Sequence, residues 1–101
     1  MIRHIVMFSL LDNADGRTKA ENLKIAADMA ESLRSKVPSL RRYEVAVNSP
    51  DADQTNYDLA LICDFDDMCG LEDYQNHPSH KEFGRFIVNV RSNRACIDFE
   101  I

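Results

Sequence analysis

The stretch IRHIVMFSL, residues 2–10, decides how this 101-residue chain is expected to fold. Apolar side chains occur at even positions, as at Val6 and Phe8, and also at odd positions, as at Ile5 and Met7. Because successive side chains of a strand point to opposite faces, this pattern predicts a strand that is buried on both sides. Such a strand belongs in the middle of a sheet.

A second stretch, YDLALICDF at residues 57–65, has the same two-sided character, since Ala60 and Ile62 lie opposite its main apolar row. Residues 43–48 and 94–101 also alternate, but each has a single apolar face. One-sided alternation is typical of strands at the edge of a sheet. The sequence therefore predicts four strands, with the first and third in the centre.

A helix is predicted between the first two strands. Residues 12–16 have the composition of a turn, and Thr18 and Glu21 have the spacing of a capping box, in which each side chain bonds the other residue's backbone. Apolar residues then recur at steps of three and four up to Val37, and Pro38 is expected to stop the helix.

The second helical region is expected to be broken once. Asp66 or Asp67 is placed to cap a short helix from Met68 to about Asn76. Pro78 suits the first position of another helix, because the N–H that proline lacks would be unpaired there in any case. An apolar helical face follows at i, i+3, i+4 and i+7, formed by Phe83, Phe86, Ile87 and Val90.

The order β-α-β-β-α-β, with its second helix broken at His77-Pro78, predicts an α+β ferredoxin-like fold over one domain, residues 1–101. Two helices can cover only one face of a four-stranded sheet, yet the other face also carries large apolar side chains. An exposed apolar sheet of this size is an association surface. We therefore expect a homodimer, in which two sheets pack face to face into a barrel-like assembly.

Composition and charge restrict the partners. Twelve basic and seventeen acidic residues give a net charge of −5, which argues against nucleic acid or an anionic membrane as a partner. Strand-like alternation begins at Ile2, so no targeting segment is recognised, and a cytoplasmic protein is expected. The three cysteines lack the spacing of zinc ligands, and we expect free thiols, no metal and no cofactor.

The stretch DYQNHPSHKEF, residues 73–83, holds two of the three histidines. His77 directly precedes Pro78 and is expected to cap the helix. His80 lies in the first turn of that helix, where the positive helix end disfavours a charged imidazole. A neutral imidazole can act as a general base. A structural interpretation stays open for His80 and for His4, since buried polar side chains are normally hydrogen-bonded for structural reasons alone.

Together, the strand MIRHIVMF, the strand YDLALICDF and the run Tyr74…His77-Pro78-x-His80 resemble the stress-responsive A/B barrel (Dabb, dimeric α/β barrel) family. The resemblance covers essentially the whole chain and implies a homodimer with a small pocket. In one plant branch of polyketide cyclases, the pocket histidine matching His80 is the base, the tyrosine matching Tyr74 helps to bind the carbonyl, and the histidine matching His4 lines the pocket. A further pocket histidine of that branch is replaced here by Leu59.

The resemblance implies that His80 and Tyr74 are the candidate catalytic residues of a cofactor-independent cyclase or lyase acting on an organic carbonyl compound. A largely apolar pocket for this ligand is expected to be lined by His4, Phe8, Leu59 and Phe83. Two alternatives stay open: a stress-associated binding or structural dimer without turnover, and a cofactorless monooxygenase. Some relatives also hold a cation at the end of the first helix, where the carbonyls around Arg34, Val37 and Leu40 would be the ligands.

Overall fold

The computed structural model describes all residues, 1–101, and contains one main sheet with helices on one side of it. In chain order the elements are β1 (Ile2–Leu10), β2 (Asn13–Ala14), β3 (Arg17–Thr18), α1 (Lys19–Ser32), a 3₁₀ turn (Leu33–Ser35), β4 (Tyr43–Val47), β5 (Leu59–Phe65), α2 (Met68–Asn76), α3 (Pro78–Val90) and β6 (Arg91–Glu100).

The main sheet is antiparallel, with the strand order β4-β5-β1-β6. The two strands with apolar residues on both faces, β1 and β5, are central, as predicted, and the one-sided strands are at the edges. The element order and the antiparallel sheet confirm the predicted α+β ferredoxin-like fold.

The helices pack on one side of the sheet, which we call the covered face. It carries the even-numbered residues of β1, and the ring of Phe8 meets that of Phe83 on α3 edge to face at 6.0 Å. Its side chains, together with those of the helical segments that pack on it, form a core of 17 buried apolar residues. The odd-numbered residues of β1, among them Ile5 and Met7, lie on the opposite side, the open face, where no helix covers them.

Strand β6 turns its apolar row away from the helices. Ile97 pairs with Ile5 and Ala95 pairs with Met7, so these side chains belong to the open face. The covered face of β6 is polar and carries Arg94, Cys96 and Asp98. The last strand therefore adds apolar surface where the sheet is uncovered and polar groups where it faces α3.

The helix boundaries follow from local capping. The capping box of Thr18 and Glu21 is present at the start of α1, and the Asp67 side chain accepts a hydrogen bond from the backbone N–H of Gly70. The ring Nδ1 of His77 accepts from the N–H of Ser79 at 3.1 Å, and Pro78 is the first residue of α3. These findings confirm the predicted caps. None of the three helices is both long enough and apolar enough to cross a membrane.

Two details differ from the pattern read from the sequence. The predicted turn at residues 12–16 contains strand β2 of a small hairpin, whose tip is Asp15-Gly16 with positive φ angles of 52° and 75°. Asp-Gly accepts this backbone more readily than most residue pairs, and it suits the twist of two short strands. Helix α1 tightens into the 3₁₀ turn after Ser32, and the carbonyls of Leu33 and Val37 accept backbone hydrogen bonds there.

Candidate functional site

A cavity of about 220 Å³ lies between the covered face of the sheet and α3. This volume is below the usual range for pockets that bind drug-sized molecules, so it suits a small ligand. Half of the lining residues are apolar, and both histidines of interest are among the rest. The lining residues are His4, Val6, Phe8, Leu61, Gln75, His80, Phe83, Gly84, Ile87, Val88, Arg91 and Arg94.

His80 reaches this cavity from the first turn of α3. Burial lowers the pKa of its imidazole below the ordinary value of 6.5, and the nearby His4 and Arg94 lower it further. The backbone of Gln75 raises the pKa of His80, but the net effect is a lower pKa. The ring is therefore neutral at pH 7, which is the form that a general base requires.

His4 is the second imidazole of the cavity, and only 3% of the residue is exposed. Its Nδ1 lies 2.5 Å from Oδ1 of Asp98, its neighbour across the β1–β6 pair. A carboxylate at this position holds the proton of a neutral ring on Nδ1 and fixes the orientation of the ring. The other nitrogen, Nε2, has no hydrogen-bond partner in the protein.

Tyr74, expected at the site with His80, lies behind it and not in the cavity. The residue is completely buried on α2, and its ring meets the rings of His80 at 4.5 Å and Phe65 at 5.3 Å. Its hydroxyl is buried without a hydrogen-bond partner, and burial raises its pKa above the ordinary value of 10. Tyr74 therefore contacts the site through its ring, which packs against His80, and not through its hydroxyl.

Of the other residues that were predicted to line the pocket, some line the cavity and one does not. Phe8 and Phe83 line the cavity together with His4. Leu59 is almost fully buried and lies next to a separate, shallower depression of about 530 Å³, which Met7, Val47 and Tyr57 also border. Leu61, which lies two residues further along β5 on the same face, lines the cavity instead.

Three charged residues of the site were not predicted: Arg91 and Arg94, which line the cavity, and Asp98, whose carboxylate is hydrogen-bonded to His4. Arg94 and Asp98 belong to the polar row of β6, and that row is visible in the sequence as every second residue. What the sequence does not show is the register that sets Asp98 opposite His4. The alternation alone therefore marks a polar edge strand and not a part of the site.

His4, Cys96 and Asp98 are the residues that could hold a metal ion. The Cys96 Sγ is 3.5 Å from Nδ1 of His4 and 3.9 Å from Oδ1 of Asp98. Burial and the neighbouring Asp98 raise the pKa of the Cys96 thiol. The three groups thus form a hydrogen-bonded cluster, with the imidazole and the carboxylate bonded to each other.

A family model described as Stress responsive A/B Barrel Domain matches residues 2–101. The chain is similar to a dimeric protein of unknown function and ferredoxin-like fold from Bacteroides fragilis, with 27% identity, a TM-score of 0.80 and coverage of 99% of this chain and 95% of that one. A dimeric ferredoxin-like protein of unknown function from Thermobifida fusca gives 27% identity, a TM-score of 0.83 and coverage of 99% and 90%.

A hydroxynitrile lyase from Passiflora edulis has a TM-score of 0.76 over 99% of this chain and 92% of that one. Its identity is 13%, and a likeness at that level shows the fold alone. No curated protein matches the chain. The family match extends over almost every residue, including the two segments and the histidine run that suggested the resemblance. The chain therefore belongs to the stress-responsive A/B barrel (Dabb) family.

Proposed function

We propose that the protein is a homodimer whose two open faces pack against each other. On the single chain, 58% of Ile97 and 37% of Phe99 are exposed, and both lie on the open face beside Ile5 and Met7. Apolar rows of this kind are buried when sheets pack face to face. The similar B. fragilis and T. fusca proteins are described as dimeric, which supports this assembly.

The second part of the proposal is that the cavity binds a small organic carbonyl compound and removes a proton next to its carbonyl group. The observation that carries it is the presence of two imidazoles, His4 and His80, in one small and partly apolar cavity. Apolar walls bind the carbon skeleton, while a neutral imidazole accepts the proton.

In this mechanism His80 is the base. The C–H proton of the substrate passes to the free ring nitrogen of His80, and the electron pair moves onto the carbonyl oxygen to give an enolate. The enolate carbon can then form a bond to a second carbonyl carbon, and the oxygen of that carbonyl takes the proton back from His80, as in a cyclase. The reverse sequence cleaves that bond, as in a lyase. No oxidant, reductant or cofactor enters these steps.

Tyr74 and His4 are assigned supporting roles. The ring of Tyr74 packs against that of His80, so Tyr74 is a positioning residue whose aromatic ring matters more than its hydroxyl. His4, whose ring is oriented by Asp98, offers Nε2 as a hydrogen-bonding partner for a polar group of the ligand. The proposal keeps His80 as the catalytic residue of the sequence interpretation, but Tyr74 becomes a residue that positions His80 and does not touch the substrate.

The test is the exchange of the protons next to the carbonyl of 4-oxopentanamide in D₂O, followed by ¹H NMR. We expect the protein to accelerate exchange above the buffer rate and His80→Gln to abolish the acceleration. His77→Asn is the matched control, because it changes a histidine outside the cavity for a residue that also caps helices well. Binding of the amide without faster exchange would contradict the enzymatic proposal and favour a non-catalytic binding dimer.

A further inference from the structure

Arg91 and Arg94 are the only permanently charged side chains that line the cavity. Both lie near the start of β6, on the side where α3 ends. The other lining residues are apolar, an amide, a glycine or the two histidines. Any fixed charge that a bound ligand meets inside this cavity is therefore positive.

These two guanidinium groups have no carboxylate partner, although the chain carries a net charge of −5. Five of the other six arginines are paired with aspartate or glutamate at 4.0 Å or less. The pairs are Arg3–Asp64, Arg17–Asp15, Arg34–Glu31, Arg41–Asp66 and Arg42–Glu44. Although the chain has an excess of acidic residues, none of them neutralises the two arginines of the cavity, which can therefore bind an anionic ligand.

An irregularity in the sheet brings the two arginines to the same face. Residues 91 and 94 are three apart, so in a regular strand their side chains would point to opposite faces. The register shifts between Ser9 and Leu10, which pair with Asn93 and Arg91, so Ser92 is skipped. Bulges of this kind re-aim a side chain and are common beside functional sites. Here the bulge turns Arg91 to the covered face, where Leu10 and Arg94 also lie.

From this arrangement we propose that Arg91 and Arg94 form an anion-binding subsite and that the carbonyl compound bound in the cavity carries a carboxylate group. Guanidinium groups bind carboxylates through paired, charge-assisted hydrogen bonds, which are among the strongest available to side chains. The carboxylate of the ligand then lies beside the first residues of β6, and its carbonyl group is directed along α3 towards His80. The carbonyl part of this inference rests on the proposed function, whereas the anionic part rests on the arginines.

A matched pair of probes separates the two parts: 4-oxopentanoate and 4-oxopentanamide differ in charge but hardly in size. Their binding can be measured by ¹H–¹⁵N chemical-shift titration at equal, low ionic strength. We expect the carboxylate to bind about tenfold more tightly or better, with shifts at the cavity residues, and to weaken as salt is added. The double variant Arg91→Gln/Arg94→Gln should bind both probes equally.

Arg85→Gln is the control. Arg85 is an exposed arginine of α3 that also lacks a carboxylate partner but does not line the cavity. The Arg85→Gln substitution removes one positive charge outside the cavity, and this variant should still bind the carboxylate more tightly than the amide. Thermal unfolding of each variant verifies that the fold is intact.

The inference is overturned if the acid binds no better than the amide, if it fails to bind, or if the double variant keeps the preference. Failure of the proposed function looks different. In that case the carboxylate preference persists and depends on the arginines, but neither probe exchanges its protons faster than in buffer. Conversely, catalysed exchange of the amide without any preference for the acid would remove only the subsite.

Discussion

The rings of Tyr74 and His80 meet edge to face with their centroids 4.5 Å apart, but only His80 lines the cavity. One ring therefore supports the other from within the core. Tyr74 also contacts Tyr43 and Phe65, so it joins the central strand β5 to the helix that carries the candidate base. This arrangement separates what the ring of Tyr74 does from what its hydroxyl does.

Tyr74→Phe keeps the ring and removes only the buried, unpartnered hydroxyl. A buried polar group without a partner costs about 1–3 kcal/mol, so we expect this variant to be at least as stable as the parent in urea unfolding, and equally active in proton exchange. Tyr74→Ala is the contrasting variant, because loss of the ring should cost about 3–5 kcal/mol. If Tyr74→Phe lost activity while remaining folded, the hydroxyl would reach the substrate after all.

The pH dependence of proton exchange should report the lowered pKa of His80. We expect the rate to rise with pH through a midpoint below 6.5 and to be level by neutral pH, since only the neutral ring accepts the proton. Arg94→Gln removes a charge that lowers this pKa, so the midpoint should move to higher pH, whereas Arg85→Gln should leave it in place. A midpoint at or above 6.5 in the parent protein would contradict the buried, neutral state of His80.

The same shift affects stability. Because the pKa of His80 is lower in the folded protein, the unfolded chain binds more protons between the two pKa values, and the free energy of unfolding rises with pH over that interval. Conversely, stability is lost as the pH falls below 6.5. We expect His80→Gln to remove this part of the acid sensitivity in urea unfolding at pH 5 and pH 7, and His77→Asn to retain it.

Asp98→Ala should destabilise the protein by about 1–3 kcal/mol, because it leaves the Nδ1 of a buried His4 without its acceptor. The matched change is Glu100→Ala, two residues along the same row of β6, where the carboxylate has only an exposed contact with the N-terminus at 3.7 Å. A surface change of this kind is expected to alter stability by no more than about 0.5 kcal/mol. Equal losses would show that Asp98 contributes no more than a surface charge.

Ile97→Asp should convert the protein from dimer to monomer, since it places a charge in the middle of the open face. Sedimentation velocity at micromolar concentration measures the change in mass. Met68→Asp is the control: Met68 is similarly exposed, but it lies at the start of α2 on the helical side, where a negative charge is tolerated or favourable. A monomeric parent protein, or a dimeric Ile97→Asp variant, would rule out this assembly.

The fold was predictable from local patterns because each of them has a single structural interpretation. The two-sided strands were expected in the centre, and Thr18, one of Asp66 and Asp67, His77 and Pro78 each mark a helix start through the chemistry of their own side chains. The short hairpin of β2 and β3 was missed because two-residue strands carry no alternation, although Asp15-Gly16 is itself a turn signal.

The candidate site was only partly predictable because it depends on register and burial. His4 and His80 stand out by residue type, and both line the cavity. The contribution of Arg91 depends on a bulge, and that of Asp98 on the alignment of two strands 94 residues apart, which no local pattern reports. Tyr74 matched a motif, but the way that α2 packs on the sheet directs its hydroxyl into the core.

Strand β6 has a consequence for regulation. Its alternate residues belong to two surfaces, since Arg94 and Asp98 serve the cavity and Ala95 and Ile97 serve the open face. The two rows share one backbone, so anything that orders one row also restricts the other. Ligand affinity and self-association are then expected to be thermodynamically linked, each altering the other by the same factor. The concentration of the protein would become one of the variables that set how tightly it holds its ligand.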